Sequence, residues 1–281
     1  MALFHTLLFL LRENTMVEDL TRSFKCLKSL EKSKYKTVVI YNQGFWDNQQ
    51  LSEYLQIFDL NCIIIGNGEN VGIIVGRQAC FEWIWKNHEE ASFVSELHLD
   101  MIFTHNWENP MVEYLNNNDE PLICSGIVEK NGYMPYLNKT IEPPPNSLAE
   151  IDEYLMQLKE DTLIHGFTHP CIHNLCLLKE IGGIMTGLFK GKQAFEDDSL
   201  LLGYYYYYGT KANWKPKVTY KTVVYHEIGG QRYGLNDNLM LNFDGLVRQY
   251  GVMGIKHLTN IHKSELSIQF FKERYDLLFN V

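Results

Sequence analysis

Short apolar runs and amphipathic stretches alternate regularly through the first hundred residues. Met1–Leu11 is almost continuously apolar and stops at Arg12-Glu13, the pattern of a strand buried on both faces. A secretory leader would need a basic start and a small-residue cleavage site; this run has neither. Thr15-Met-Val-Glu18 has capping-box spacing, and Val17, Leu20, Phe24, Leu27 and Leu30 form a helical stripe behind it. A buried strand follows at Lys36–Asn42. Asp47 is then placed to cap a helix that turns Leu51, Tyr54, Leu55 and Phe58 inward. Asn61–Gly66 is a third strand, closed by the turn Asn67–Gly72. The next helix carries Ile74, Phe81, Ile84 and Trp85, and Phe93–Phe103 is one fourth strand. The order βαβαβαβ predicts a parallel sheet with helices on its faces.

The rhythm changes after this point. Leu122–Val128 is another strand, and Pro143-Pro-Pro145 marks an insertion within one domain. Ser147-x-x-Glu150 opens a helix facing inward through Ile151, Tyr154, Leu155 and Leu158. Val218–Tyr225 alternates as a late strand. Asp237 is placed to cap a helix with Met240, Phe243, Leu246, Val247 and Tyr250 inward, and the tail from His262 is helical. The run Tyr204–Tyr208 belongs to a helix and is in part core.

Composition narrows the class without naming an activity. The chain has 281 residues and a net charge of −9, which argues against coating nucleic acid or an anionic membrane. Six cysteines in this length are no disulfide framework, so reduced thiols and a cytoplasmic location are expected. No run is long and apolar enough to span a bilayer. The strand ends Asn42-Gln-Gly44, Gly66-Asn-Gly68 and Glu96–Asp100 lie where open α/β sheets bind ligands. They lack GxGxxG and GxxxxGK[ST], which disfavours Rossmann dinucleotide binding and P-loop hydrolysis.

The motif order resembles family-2 glycosyltransferases of the GT-A fold. Val39-Ile-Tyr-Asn-Gln-Gly44 and Ile64–Gly72 followed by Gly76-Arg77 are similar to that family's nucleotide-sugar half. Leu97-His-Leu-Asp-Met-Ile-Phe-Thr-His-Asn-Trp107 stands where the family has its metal-binding D-x-D strand, here with His98 at the first acidic position and Asp100 retained. Ile181-Gly-Gly183 and Gly191–Asp198 resemble the "iGG…ED" segment, and Val223-Val-Tyr-His226 the late strand whose histidine completes some metal sites.

The resemblance implies a mixed, mainly parallel α/β sheet flanked by helices. It implies a nucleotide-sugar half at 1–103, an acceptor and catalytic half at 104–250, and a helical extension at 251–281. The implied activity is transfer of a sugar, with inversion, from a nucleotide sugar such as a UDP-sugar to an acceptor that the sequence leaves open.

Leaving-diphosphate charge calls for a divalent cation, for which Asp100, His226 and His98 are the candidate ligands; nitrogen donors favour Mn2+ over Mg2+. The resemblance makes Asp197 the candidate base and Glu196 the runner-up, although an acidic first turn is also what a helix dipole favours. Asn42, Asn67, Arg77, His98 and Asp100 are the candidate donor contacts, and His165 and His169 the acceptor-side candidates. His165–Cys176 also holds the ingredients of a zinc site, but Pro170 interrupts the helix that would stack its histidines. Two rivals remain at this stage. A nucleotidyltransferase would need a Gly-rich basic first loop where this chain has Arg12-Glu-Asn14. A non-catalytic sugar- or partner-binding module would fit the altered D-x-D.

Overall fold

The computed structural model describes residues 2–227 and 240–279. The first seven elements are β1 (Ala2–Phe9), α1 (Met16–Leu30), β2 (Thr37–Asn42), α2 (Asn48–Leu55), β3 (Asn61–Gly66), α3 (Gly72–Asn87) and β4 (Ala91–Leu97). There follow β5 (Met101–Ile102), α4 (Asn109–Asn117), β6 (Leu122–Glu129), the small pair β7 (Tyr133–Met134) and β8 (Lys139–Thr140), and α5 (Leu148–Gln157). The chain continues through β9 (Leu163–His165), β10 (Cys171–Asn174), α6 (Leu175–Glu180), α7 (Glu196–Tyr208) and β11 (Lys217–His226). It closes with α8 (Met240–Ile261), two helical segments joined at a kink at Gly251, and α9 (Glu265–Phe279). The cap expected at Asp237 lies outside the described residues.

The main sheet runs β3-β2-β1-β4-β10-β6-β11-β5, with β9 also on β11. The first four strands pair in parallel, as the βαβ rhythm requires, and β6 is parallel to β11. Only β10, β5 and β9 run against their neighbours. Alternate strand residues feed two separate cores. Leu3, Leu7, Val38 and Ile40 join the cluster under α1, α2 and α4. Phe4, Val39 and Val94 join the cluster that holds α3, α7, α8 and the buried Phe271 of α9.

Local capping follows the sequence only in part. Asp47 accepts from the Gln50 backbone N–H and Gln50 reciprocates, a complete capping box. Ser147 likewise caps α5. Thr15 does not cap α1: its hydroxyl donates to Asp19 at 3.0 Å, and Asp19 is held by Arg12 at 2.8 Å. The inward stripe of α1 is rotated accordingly. Val17 is 73% exposed, and Ser23, Cys26, Leu27 and Leu30 take the inner face.

The expected fourth strand breaks in two. β4 ends at Leu97, the chain turns through His98-Leu99-Asp100, and β5 crosses to pair antiparallel with β11. The apolar run 93–103 hides this because both halves are buried. No helix among the described residues is long and apolar enough to cross a membrane.

His5, fully buried under Trp107, illustrates how a polar group survives in this core. Its Nε2–H donates to the Tyr35 carbonyl at 2.9 Å and its Nδ1 accepts from Ser95 at 2.7 Å. Burial lowers its pKa from 6.5 to about 4. Protonation therefore favours the unfolded chain, so this contribution is complete above pH 6.5 and lost as pH falls toward 4. At most about 3 kcal/mol is involved. Urea unfolding of the wild type should show this acid loss, and His5→Gln should flatten it between pH 6.5 and 4.

Candidate active site

Strand order reverses between β1 and β4: β2 and β3 extend to one side of β1, and β4 returns to the other. Ligand clefts form beyond the carboxyl ends of strands at such a switch point. Here a cavity of about 250 Å³ opens there. Its lining includes Leu8 near the end of β1 and Leu10 just beyond it, Gln43 after β2, Leu97 at the end of β4 with the turn 98–100 that follows, and Ile73 and Arg77 on α3. Phe167-Thr168-His169, Lys192-Gln193, Asp197 and His226 complete the lining.

The break after β4 places three donor groups together. His98 and Asp100 come from the turn, and His226 ends β11 directly opposite Met101. His226 Nε2 is 3.4 Å from Asp100 Oδ1 and 3.4 Å from His98 Nδ1. One ligand atom from each lies within 4.8 Å of the others, a spacing that one divalent ion could span. Backbone pairing locks the register, since Glu227 N–H donates to the Asp100 carbonyl at 2.9 Å.

Asp197, in the first turn of α7, also lines the cavity. Its Oδ1 is 3.5 Å from His169 Nε2, whose ring lies against His98 with centroids 4.5 Å apart. His169 Nε2 accepts from Arg77 Nη1 at 3.1 Å. Gln43 is buried, and its Oε1 has no hydrogen-bond partner among the described residues, leaving an acceptor at the cavity wall.

Beneath this surface lies a buried network that sequence reasoning missed. Glu96, with no exposure, takes an ion pair from Arg77 on one oxygen. On the other it accepts from His173 Nε2–H at 2.5 Å. Burial lowers the His173 pKa to about 3, so the ring is neutral and its Nδ1 accepts from Tyr204 at 2.8 Å. The same burial holds Cys171 far up as a thiol, 3.6 Å from Glu96. The sequence signal was a carboxylate inside Phe93-Val-Ser-Glu-Leu97, because a charge in an apolar strand requires a partner.

The predicted residues therefore divide. Arg77, His98, Asp100, His169, Asp197 and His226 all line one cavity. Arg77 is committed to Glu96 at the cavity floor. Asn42 is fully buried, and its side chain holds the turn after β2, accepting from Gly44 N–H and donating to the Trp46 carbonyl at 2.9 Å. Asn67 orders its own turn by accepting from Glu69 N–H, and it does not line the cavity. Glu196 is buried at the start of α7, outside the cavity lining. His165 lies in a separate groove with Lys215, Lys217 and His262, because Gly166 and Pro170 divide the 165–176 stretch between β9 and β10. Tyr204 and Tyr205 are core, whereas Tyr206 and Tyr207 face outward.

Comparison with solved structures shows the GT-A glycosyltransferase fold. The S. aureus TarS 1-349 structure in complex with UDP-GlcNAc superposes with a TM-score of 0.58 at 11% identity, covering 98% of this chain and 72% of that one. The same protein with UDP gives 0.57 at 11% identity and the same coverage. GalNAc-T7 with UDP, GalNAc and Mn2+ gives 0.58 at 12% identity, covering 98% of this chain and 55% of that one. No protein-family model and no curated protein matches the sequence.

Removing one partner of a buried ion pair strands the other, at a cost of about 3–5 kcal/mol. Glu96→Gln should accordingly lower unfolding stability by that order in urea titration. An effect below about 1 kcal/mol would show that Arg77 finds compensation elsewhere.

Proposed function

We propose that this chain is a metal-dependent glycosyltransferase that moves a sugar, with inversion, from a UDP-sugar to an acceptor hydroxyl. The observation that carries the reading is the cavity at the β1/β4 switch point. It collects His98, Asp100 and His226 within 4.8 Å of one another and is lined by Asp197 as well. Its support from the comparisons is the fold shared with enzymes solved with UDP and UDP-GlcNAc.

His98, Asp100 and His226 would hold the cation. One carboxylate and two imidazoles suit a divalent ion, and the nitrogen donors favour Mn2+ over Mg2+. Such an ion supplies positive charge opposite the negative charge developing on the departing diphosphate. The chain's own groups do the rest. Lys192 at the cavity wall adds positive charge, and Gln43 Oε1 offers an acceptor to a donor-substrate N–H or O–H. Asp197 takes the acceptor proton as the hydroxyl oxygen bonds to the anomeric carbon and the bond from that carbon to the diphosphate breaks. Arg77, held by Glu96, fixes the face of His169 beside Asp197. We read 1–103 as the donor half, 104–250 as the acceptor half and 251–281 as a helical extension. The six free cysteines, four of them buried, support a reducing, cytoplasmic setting.

Thermal unfolding with UDP-sugars and Mn2+ tests the reading. Ligand at a hundred times its Kd should stabilise the wild type by about 2.7 kcal/mol. Asp100→Ala should lose the Mn2+-dependent part of that shift. Asp197→Asn should keep it while sugar-nucleotide hydrolysis falls at least about a hundredfold. No shift with any UDP-sugar in the wild type would end the transferase reading, and a shift without turnover would mark a binding module.

A further inference from the structure

The loop 191–195 between the short turn at Thr186–Leu188 and α7 is held in an improbable shape. Ala194 and Phe195 both have left-handed backbones, with φ of 79° and 64°, and neither is glycine. Phe195 is the N-cap of α7, and its own side chain makes no capping hydrogen bond. Two residues later comes Asp197.

The restraint comes from α8. Asn242 is fully buried, and its whole amide is spent on this loop. Its Oδ1 accepts from Gly191 N–H at 2.6 Å, and its Nδ2 donates to the carbonyls of Gly191, Gln193 and Ala194 at 3.2, 2.6 and 3.2 Å. A side chain at Gly191 would meet Asn242 Oδ1 at 2.9 Å, so the fit leaves no slack. The far side of the loop is fastened to α3, where Ile73 N–H donates to the Lys192 carbonyl at 2.6 Å. Phe195 packs among Phe243, Phe270 and Phe271 of α8 and α9. His262, just beyond α8, donates to Asp198 at 2.6 Å, and Tyr250 donates to the Ser199 carbonyl at 2.9 Å. Every contact converges on the segment that carries Lys192, Gln193 and Asp197 into the cavity.

We infer that Asn242 is a positioning residue. With His262 it holds the strained 191–199 segment so that Asp197 faces the cavity, which assigns the C-terminal helices a part in the chemistry. This rests on the reading of Asp197 as the base, but the restraint itself is measurable without it.

The test compares Asn242→Ala with Leu258→Ala, which opens a cavity under the second segment of α8 beyond the Gly251 kink, and with His262→Leu at a half-buried position. Hydrogen exchange without ligand should quicken at least tenfold over residues 191–199 in Asn242→Ala and not in Leu258→Ala. At a temperature where all variants are folded, hydrolysis of a UDP-sugar with Mn2+ should fall at least tenfold in Asn242→Ala and fivefold in His262→Leu, and stay within twofold in Leu258→Ala. Adding Ala194→Gly to Asn242→Ala should restore part of the rate, because glycine adopts the left-handed backbone unaided. Should Asn242→Ala not fold, His262→Leu alone decides by its exchange at 196–199 and its rate. Equal exchange in the two alanine variants, or equal loss of rate in both, overturns the inference. A wild type that neither binds nor hydrolyses UDP-sugars removes the catalytic reading and leaves the exchange result to decide the restraint.

Discussion

Glu96 is a carboxylate with no exposure in the middle of the sheet, and its desolvation sets terms for everything near it. Its charge has to be met in place: by Arg77 from α3, by His173 from β10 and by the Cys171 thiol beside it. These partners come from two elements, α3 and β10, so the carboxylate ties both to β4. It also explains why the reversed strand β10 sits between β4 and β6, with Cys171 directly opposite Glu96 in the register. The Arg77 guanidinium, fixed from below, presents an N–H to His169, whose ring stands between Asp197 and His98. The cavity floor is thus rigid because a charge was buried under it.

Above that floor, the site depends on two breaks in regular structure. The end of β4 at Leu97 releases His98-Leu99-Asp100 toward β11 and brings them to His226. The left-handed corner at Ala194 and Phe195 starts α7 at the angle that brings Asp197 to the cavity. The second is a backbone its own residues disfavour, and neighbouring elements supply hydrogen bonds to both. Backbone pairing with β11 does so for the first, and the C-terminal helices do so for the second. A parallel half-sheet gives the cleft its location, and these irregular segments bring His98, Asp100, Lys192, Gln193 and Asp197 to it.

Much of the first half was legible from periodicity. Strands β1 to β4, helices α2 and α3 and the Asp47 cap follow from apolar spacing and cap chemistry, which are local properties. Within α1 the same reading erred, because Asp19 found Arg12 and Thr15 instead of leaving Thr15 to cap. Tertiary pairing outweighed the local motif. The motif order also brought forward Asp100, His98, His226, Arg77, His169 and Asp197, all of which line the cavity. It also brought forward His165, Asn42, Asn67 and Glu196, which do not line that cavity, because residue type and spacing do not say which way a side chain turns.

By itself the sequence determined the α/β class, the parallel order of the first strands and the general position of the cleft, since these follow from short-range patterns. Only the tertiary structure decided that 93–103 is two strands, that Glu96 rather than an exposed loop residue anchors Arg77, and that Asn242 braces the turn before Asp197. The physical reason is the same in each case. These outcomes depend on which hydrogen-bonding and charged groups are buried together, and burial brings together residues as far apart as Arg77 and His169.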